Sequence, residues 1–270
     1  MTPSFSLAGE LAIVTGALGR LGPIWIEGLL EAGANVAGLD RPGSAPSSVF
    51  TAVSQRVDGS RLKIYDCDIT DRNAIVAARD RIVAEMGVPK VLVNNAGIDQ
   101  PPDSGTGRFR VEDLPVEVFR RMVEVNLVGT FQVTQVFGAL MAGKGGGSII
   151  NIGSLYASVS PDQRFYDHFP GEPPFLKVPA YGASKAGVVN MTKYFATAWG
   201  RDGVRVNTLS PGGVLGGQDA DFKRKYGERV PLGRMADAAD LKGPLVFLAS
   251  NASSYVTGHE LRVDGGFTAW

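Results

Sequence analysis

Apolar residues along the chain fall into short runs, and stretches with helical spacing separate them from one end to the other. The runs LAIVTG (11–16), NVAGLD (35–40), RLKIYD (61–66), KVLVNN (90–95), SIINIG (148–153), VRVNTL (204–209) and HELRVD (259–264) read as strands. Most are apolar at successive positions, the pattern of parallel strands covered by helices on both faces. Helical spacing predicts helices over 21–32, 71–86, 116–142, 181–200 and 238–249. Repeated β-α-β order with right-handed crossovers implies an α/β fold, a doubly wound parallel sheet flanked by helices in a single domain, 1–270. No linker, low-complexity tract or internal repeat marks a second domain. Such sheets bind ligands at the carboxyl ends of their strands, where the strand order reverses.

Two segments break this rhythm. Residues 98–114 (IDQPPDSGTGRFRVEDL) form a polar loop with Gly and Pro after the fourth strand. Residues 155–179 hold five prolines and six aromatic or His residues without a clear period. Long loops inside compact domains are usually functional or disordered, and this aromatic content favours a packed, functional loop.

Composition narrows the function classes. Lys+Arg and Asp+Glu both number 27 in 270 residues, so no net charge draws the chain to nucleic acid or a membrane surface. The single cysteine, Cys67, cannot form an internal disulfide, which fits the cytoplasm. The opening MTPSFSLAGELAIVTG lacks the charge and apolar run of a signal peptide, and no uninterrupted apolar run reaches the ~18 residues of a membrane span. With two histidines, no HExxH and no Cys/His cluster, no metal site is expected. Ser154 lacks a GxSxG elbow, and neither histidine lies in a recognisable hydrolase context.

The first strand runs directly into Gly16-Ala17-Leu18-Gly19-Arg20-Leu21-Gly22, followed by a helix. Glycines there permit a tight turn and a close approach to a pyrophosphate, which then sits on the positive end of the helix dipole. Pro23 suits the first helical turn. An ordinary βα turn has the same look, so the position after a strand and before a helix carries the argument. Asp40 ends the second strand, 18 residues past Gly22. A carboxylate there accepts hydrogen bonds from the adenosine ribose and repels a 2′-phosphate, favouring NAD over NADP. Arg20 and Arg41 weigh the other way, since an arginine can hold that phosphate.

Tyr181 and Lys185 are four residues apart in a predicted helix, one turn apart on one face. An ammonium beside a tyrosine hydroxyl favours the phenolate and lowers its pKa from ~10. A tyrosine so tuned can take a proton from an alcohol while hydride leaves the carbon, or return it in reverse. The spacing alone is common, but its company is not. Ser154 follows the fifth strand, where a hydroxyl can hydrogen-bond a substrate oxygen. Asn126 is a polar amide in a long apolar helix, and Asn94 to Gly97 (NNAG) give the fourth strand a tight polar exit.

Taken together these pieces resemble the single-domain branch of the short-chain dehydrogenase/reductase family. They are TG at 15–16 with the glycine turn, Asp40, CDIT with Asp68, NNAG at 94–97, Asn126, Ser154, YGASK at 181–185, SPGG at 210–213 and VDGG at 263–266. They span almost the whole chain in the family's order. The resemblance implies a Rossmann-type fold and a catalytic tetrad of Asn126, Ser154, Tyr181 and Lys185. It implies that Lys185 also binds the nicotinamide ribose with Tyr181 beside it, and that Asn126 holds a water of the proton relay. It further implies cofactor contacts from Gly16, Leu18, Gly19, Arg20, Leu21, Gly22, Asp40 and Arg41. Asp68 and Ile69 would line the adenine, Asn95, Ala96 and Gly97 the ribose wall, and Pro211, Gly212 and Val214 the nicotinamide.

Three departures stand out. Arg20 replaces the middle glycine of TGxxxGxG, giving the TGxxGxxG spacing of the extended branch, which includes epimerases and dehydratases. The chain ends soon after VDGG, without the extra substrate region of that branch, so the single-domain assignment is kept. Ser154 and Tyr181 are 27 residues apart, longer than in a typical relative, which places an inserted loop, 155–179, beside the substrate pocket. That loop offers Asp162, Gln163, Arg164, Tyr166, Asp167 and His168, suiting a polar substrate; an oligomer contact is the alternative. The threonine often found after PG is replaced by Val214, and 214–236 forms the mobile substrate-loop region, its KRK charges reading as a solvated helix face.

The reading is an oxidoreductase moving hydride between a nicotinamide cofactor and a secondary alcohol or ketone, with a sugar, sugar acid or cyclitol as substrate. A non-catalytic dinucleotide sensor and an NAD-dependent epimerase or dehydratase are the alternatives. Apolar surface in excess on 116–142 and the Ala/Gly content of 181–200 point to a homo-oligomer; the resemblance implies a dimer or tetramer.

Overall fold

The computed structural model describes residues 4–100, 102 and 108–270, so the expectations for the first three residues and for part of 98–114 lie outside the described residues. The seven apolar runs become β1 (Leu11–Thr15), β2 (Asn35–Asp40), β3 (Leu62–Asp66), β4 (Val91–Asn94), β5 (Gly147–Ile152), β6 (Val204–Pro211) and β7 (Glu260–Val263). All are parallel in one sheet, ordered β3-β2-β1-β4-β5-β6-β7. The order reverses between β1 and β4, and the cleft described below opens at the carboxyl ends of these strands, as the topology requires.

Side chains alternate across the sheet. Ala12, Val14, Val36, Val93 and Ile150 face α1 (Gly22–Glu31), α2 (Ser48–Ser54) and α8 (Ala238–Ala249). Ile13, Leu39, Leu92 and Ile149 face α3 (Arg72–Met86), α5 (Thr130–Ala142) and α6 (Pro179–Trp199). Both faces of the central strands are covered, which is why those strands read as nearly continuous apolar runs, while the edge strands β3 and β7 are only partly buried. Each fully buried Leu, Ile or Phe in these layers contributes about 1.5–3 kcal/mol.

Helix starts follow local chemistry. Ser47 caps α2 through Phe50 N, Asp71 caps α3 through Asn73 N, and Asp237 with Asp240 forms a capping box on α8. Prolines open α1 and α6, where a missing N–H costs nothing. α2 was absent from the sequence expectations. Residues 214–236, expected as a mobile substrate-loop region, contain a helix, α7 (Ala220–Arg229), capped by Asp219.

The predicted helix 116–142 is continuous but not uniform: α4 (Val116–Val123) passes through a π-helical segment, Glu124–Gly129, into α5. Its length and composition would suit a membrane span, but half of its apolar window is buried, and Val133, Phe137 and Met141 pack under the sheet. It is the core helix of the α3–α5–α6 face.

Candidate active site

A cleft of about 1420 Å³ runs along the carboxyl edge of the sheet. Gly16, Leu18, Gly19, Arg20 and Leu21 line one part, with Asp40, Arg41, Asp68 and Ile69 beside them. Asn95, Ala96 and Gly97 continue it, and Ser154, Tyr181, Lys185, Pro211, Gly212 and Val214 line the rest. Gly22 and Asn126 do not reach its surface; both act from behind it.

The glycine turn depends on close backbone contact. Gly16 has φ 65°, and a Cβ there would lie 2.8 Å from Ala96 Cα. A Cβ on Gly22 would lie 2.2 Å from the Gly16 carbonyl oxygen, so its place is steric rather than ligand-lining. Asn95 fastens the turn to β4: its Nδ2 donates to the Thr15 and Gly16 carbonyls at 2.9 and 3.1 Å, and its Oδ1 accepts from Trp25 Nε1 at 2.7 Å. Asn95 is thus a tie within the fold as well as part of the wall. No side chain caps the N-terminus of α1, which leaves that end available to an anion.

Asp40 accepts from Leu18 N and Arg41 N, both at 2.8 Å, and each oxygen keeps a lone pair for a further donor. Asp68 accepts twice from Thr70, and these hydrogen bonds hold its carboxyl below the usual range. Arg20 turns away from Asp40: its Nη2 donates to the Val214 carbonyl at 2.7 Å, spanning from the glycine turn to the loop after β6. The uncapped helix end, the steric turn and the two carboxylates fit a dinucleotide, whose hydroxyls Asp40 could accept from.

Tyr181 and Lys185 sit one turn apart near the start of α6. Lys185 Nζ donates to the Ile152 carbonyl at 2.8 Å and lies 5.8 Å from the Tyr181 ring centroid. Ser154, just past β5, hydrogen-bonds Tyr181, and its Oγ accepts from Tyr156 N at 3.2 Å. The electrostatics differ from the expected lowering of the tyrosine. Burial pushes the Tyr181 hydroxyl above its ordinary value; Asp99 adds to this and the Ser154 bond opposes it. Burial also pushes Lys185 down to about 8. Enclosure is the largest influence on both groups, disfavouring the charged form of each.

Asn126 lies within the π-helical segment and is fully buried. Its Oδ1 accepts from Ile98 N at 2.7 Å, and its Nδ2 donates to the Ile98 carbonyl at 3.0 Å and to Ser184 Oγ at 3.2 Å. It clamps the segment after β4 to α6, one residue from Lys185. Beneath runs a buried ladder, Asn94 to Asn151 to Thr192 to Thr208, that ties β4, β5, α6 and β6.

The inserted loop and α7 form the remaining wall through an aromatic cluster. Phe165, Tyr166 and Phe175 of the loop pack with Phe222 and Tyr226 of α7 and with Phe267. Tyr226 Oη accepts from Gly213 N at 2.5 Å. Of the six residues singled out in this loop, only Tyr166 lines the cleft. Asp162 pairs with Arg164 at the surface, Gln163 Oε1 accepts from Lys177 N, and Asp167 and His168 reach Lys225 and Asp219 of the α7 region. Lys225, expected on a solvated face, therefore points into a tie. Lys177, Asp99, Tyr156, Phe222 and Met235 line the cleft without having been marked in the sequence. Asp99 lies two residues past NNAG, and that position was the available signal.

Known proteins match over nearly the full length. A family model described as "Enoyl-(Acyl carrier protein) reductase" matches residues 25–268. D-threitol dehydrogenase from Mycolicibacterium smegmatis is 34% identical, over 98% of this chain and 95% of that protein. A gluconate 5-dehydrogenase from Burkholderia cenocepacia, solved in complex with NADP and tartrate, is 30% identical, with a TM-score of 0.83 over 99% of this chain and 98% of that one. A short-chain dehydrogenase from Leptospira borgpetersenii, solved with bound NAD+, is 35% identical, with a TM-score of 0.83 over 99% and 96% of the two chains. Site and sequence agree, and the chain belongs to the short-chain dehydrogenase/reductase family.

Proposed function

We propose that the protein is a nicotinamide-dependent oxidoreductase that interconverts a secondary alcohol and a ketone on a polyhydroxylated, sugar-like substrate. The observation that carries this is Tyr181, hydrogen-bonded to Ser154 and one turn from Lys185, on the wall of a cleft whose far side is the glycine turn with Asp40. The bound cofactor supplies or accepts the hydride. Ser154 orients the substrate oxygen. Tyr181 Oη gives its proton to that oxygen in reduction and takes it in oxidation. Lys185 stabilises the phenolate left after proton donation, and Asn126 acts as a positioning residue, its buried amide fixing the Ile98 backbone and Ser184 beside Lys185.

NAD is the favoured cofactor over NADP. Asp40 supports this by presenting charge where a 2′-phosphate would lie, and Arg20 is turned to Val214 rather than toward that position. The chain acts as one functional domain in which 155–179 and 214–236 form the substrate wall. Its location is cytoplasmic, in keeping with a lone buried thiol, and it works as a homo-oligomer.

The test is a panel of alcohols and ketones assayed with both cofactors at the nicotinamide absorbance. Turnover with NAD exceeding that with NADP is expected. Tyr181→Phe should lose about 10²- to 10⁴-fold in kcat/KM while still binding NADH by fluorescence. A Phe variant with unchanged activity ends the catalytic assignment; product without net cofactor turnover points to an epimerase.

A further inference from the structure

Two charged side chains near Tyr181 take no part in the steps above. Lys177, near the end of the inserted loop, donates from Nζ to Asp99 Oδ2 at 2.5 Å and to the Gln100 carbonyl at 3.3 Å. The same ammonium lies 5.7 Å from the Tyr181 ring centroid, and both Lys177 and Asp99 line the cleft. Their exposures are opposite: the Lys177 side chain is 6% exposed and that of Asp99 is 42%. The Lys177 backbone is held by Gln163, so the ammonium is fixed by its loop rather than trailing from it. The charge of Asp99 also reaches Tyr181 and Lys185, where it favours the protonated form of each.

We infer that Asp99 and Lys177 form a substrate-recognition pair that selects neutral polyols and their ketoses over sugar acids, an inference that rests on the alcohol–ketone reading of the site. A hydroxyl both donates and accepts, so adjacent hydroxyls of a polyol can donate to Asp99 and accept from Lys177. A carboxylate only accepts. It meets the more exposed member of the pair, which carries its own sign of charge, while the cation behind is already partnered. Among the described residues the other cations lining the cleft are placed elsewhere. Arg20 and Arg41 stand by the glycine turn and Asp40, Arg121 is exposed on α4, and Lys185 is engaged by Ile152.

The experiment compares kcat/KM of the whole protein for tetritols, pentitols and hexitols with that for aldonic acids of matching chain length, using each cofactor. The wild type is expected to favour the neutral class by about tenfold or more, since like-charge juxtaposition is strongly disfavoured. Asp99→Asn uncovers the ammonium and should move the neutral-to-acid ratio toward acids by about tenfold, chiefly through KM. Lys177→Met should raise KM for neutral polyols without gain on acids. A wild type that prefers acids, or an Asp99→Asn ratio equal to wild type, overturns the pair's role and leaves the oxidoreductase reading intact. Turnover of neither class with either cofactor overturns both. If Asp99→Asn is misfolded by circular dichroism, Asp99→Ser and the wild-type ratio decide the matter.

Discussion

Lys185, enclosed between the Ile152 carbonyl and the Tyr181 ring, carries its charge only below about pH 8, because burial penalises the ammonium. Tyr181 keeps its proton through the same range, since burial acts on it in the opposite sense. Ketone reduction needs that proton to give and the ammonium to stabilise what remains. Its kcat/KM should therefore be flat through neutral pH and fall as pH rises past about 8. Alcohol oxidation needs Tyr181 as a base and should gain as the medium becomes alkaline. Profiles measured in both directions check this; a reduction profile still flat well above pH 8 removes Lys185 from the role. At this scale the sequence was informative about identity and silent about state. Four-residue spacing placed Tyr181 and Lys185 together, but nothing in it said that Lys185 donates to Ile152, 33 positions away. The Lys177–Asp99 pair joins loops 78 positions apart, and no local pattern encodes such a meeting.

Among the elements, α7 is anchored to the turn after β6 through Tyr226, beside its ties to the inserted loop. Tyr226 is buried, stacks on Phe267 at 5.1 Å, and accepts the Gly213 N–H in the turn after β6. Tyr226→Phe keeps the stack and strands that N–H, a loss of about 1–3 kcal/mol. Calorimetry should show Tm lowered by several degrees, and substrate KM should rise with kcat largely kept. Wild-type values for both would show that α7 needs no such anchor. The elements differed in how readable they were. The central strands, buried on both faces, were legible as apolar runs, and all seven strands formed where expected, the partly exposed edge strands β3 and β7 included. α2 (SVFTAVS) escaped because it is short and rich in Ser and β-branched residues, although Ser47 carried a capping signal. α7 is polar along KRK, and its burial comes from Phe222 and Tyr226 meeting the inserted loop, a long-range fact. The π-helical segment at Asn126, whose side chain bonds Ile98, had no signal in the local sequence either.

For the whole molecule, Phe131 on α5 and Tyr194 on α6 are exposed at 40% and 68% and flank the same Phe195, making one aromatic patch across two neighbouring helices. This patch is where the proposed homo-oligomer would pack. Sedimentation should find a dimer or tetramer, and Phe131→Asp with Tyr194→Asp should shift it to smaller species; a wild type that is monomeric at every concentration refutes the assembly. The inserted loop has a further consequence at this scale. It leaves the sheet at Ser154 and returns at Pro179, and both ends are fixed by β5 and α6 whatever lies between. Closing a longer loop between fixed ends is inexpensive, about 0.6 kcal/mol per doubling of length. If the loop selects the substrate as proposed, the fold would behave as a chassis with an exchangeable cartridge: that loop could be lengthened, shortened or transplanted between relatives while Ser154 and Tyr181 stay in register.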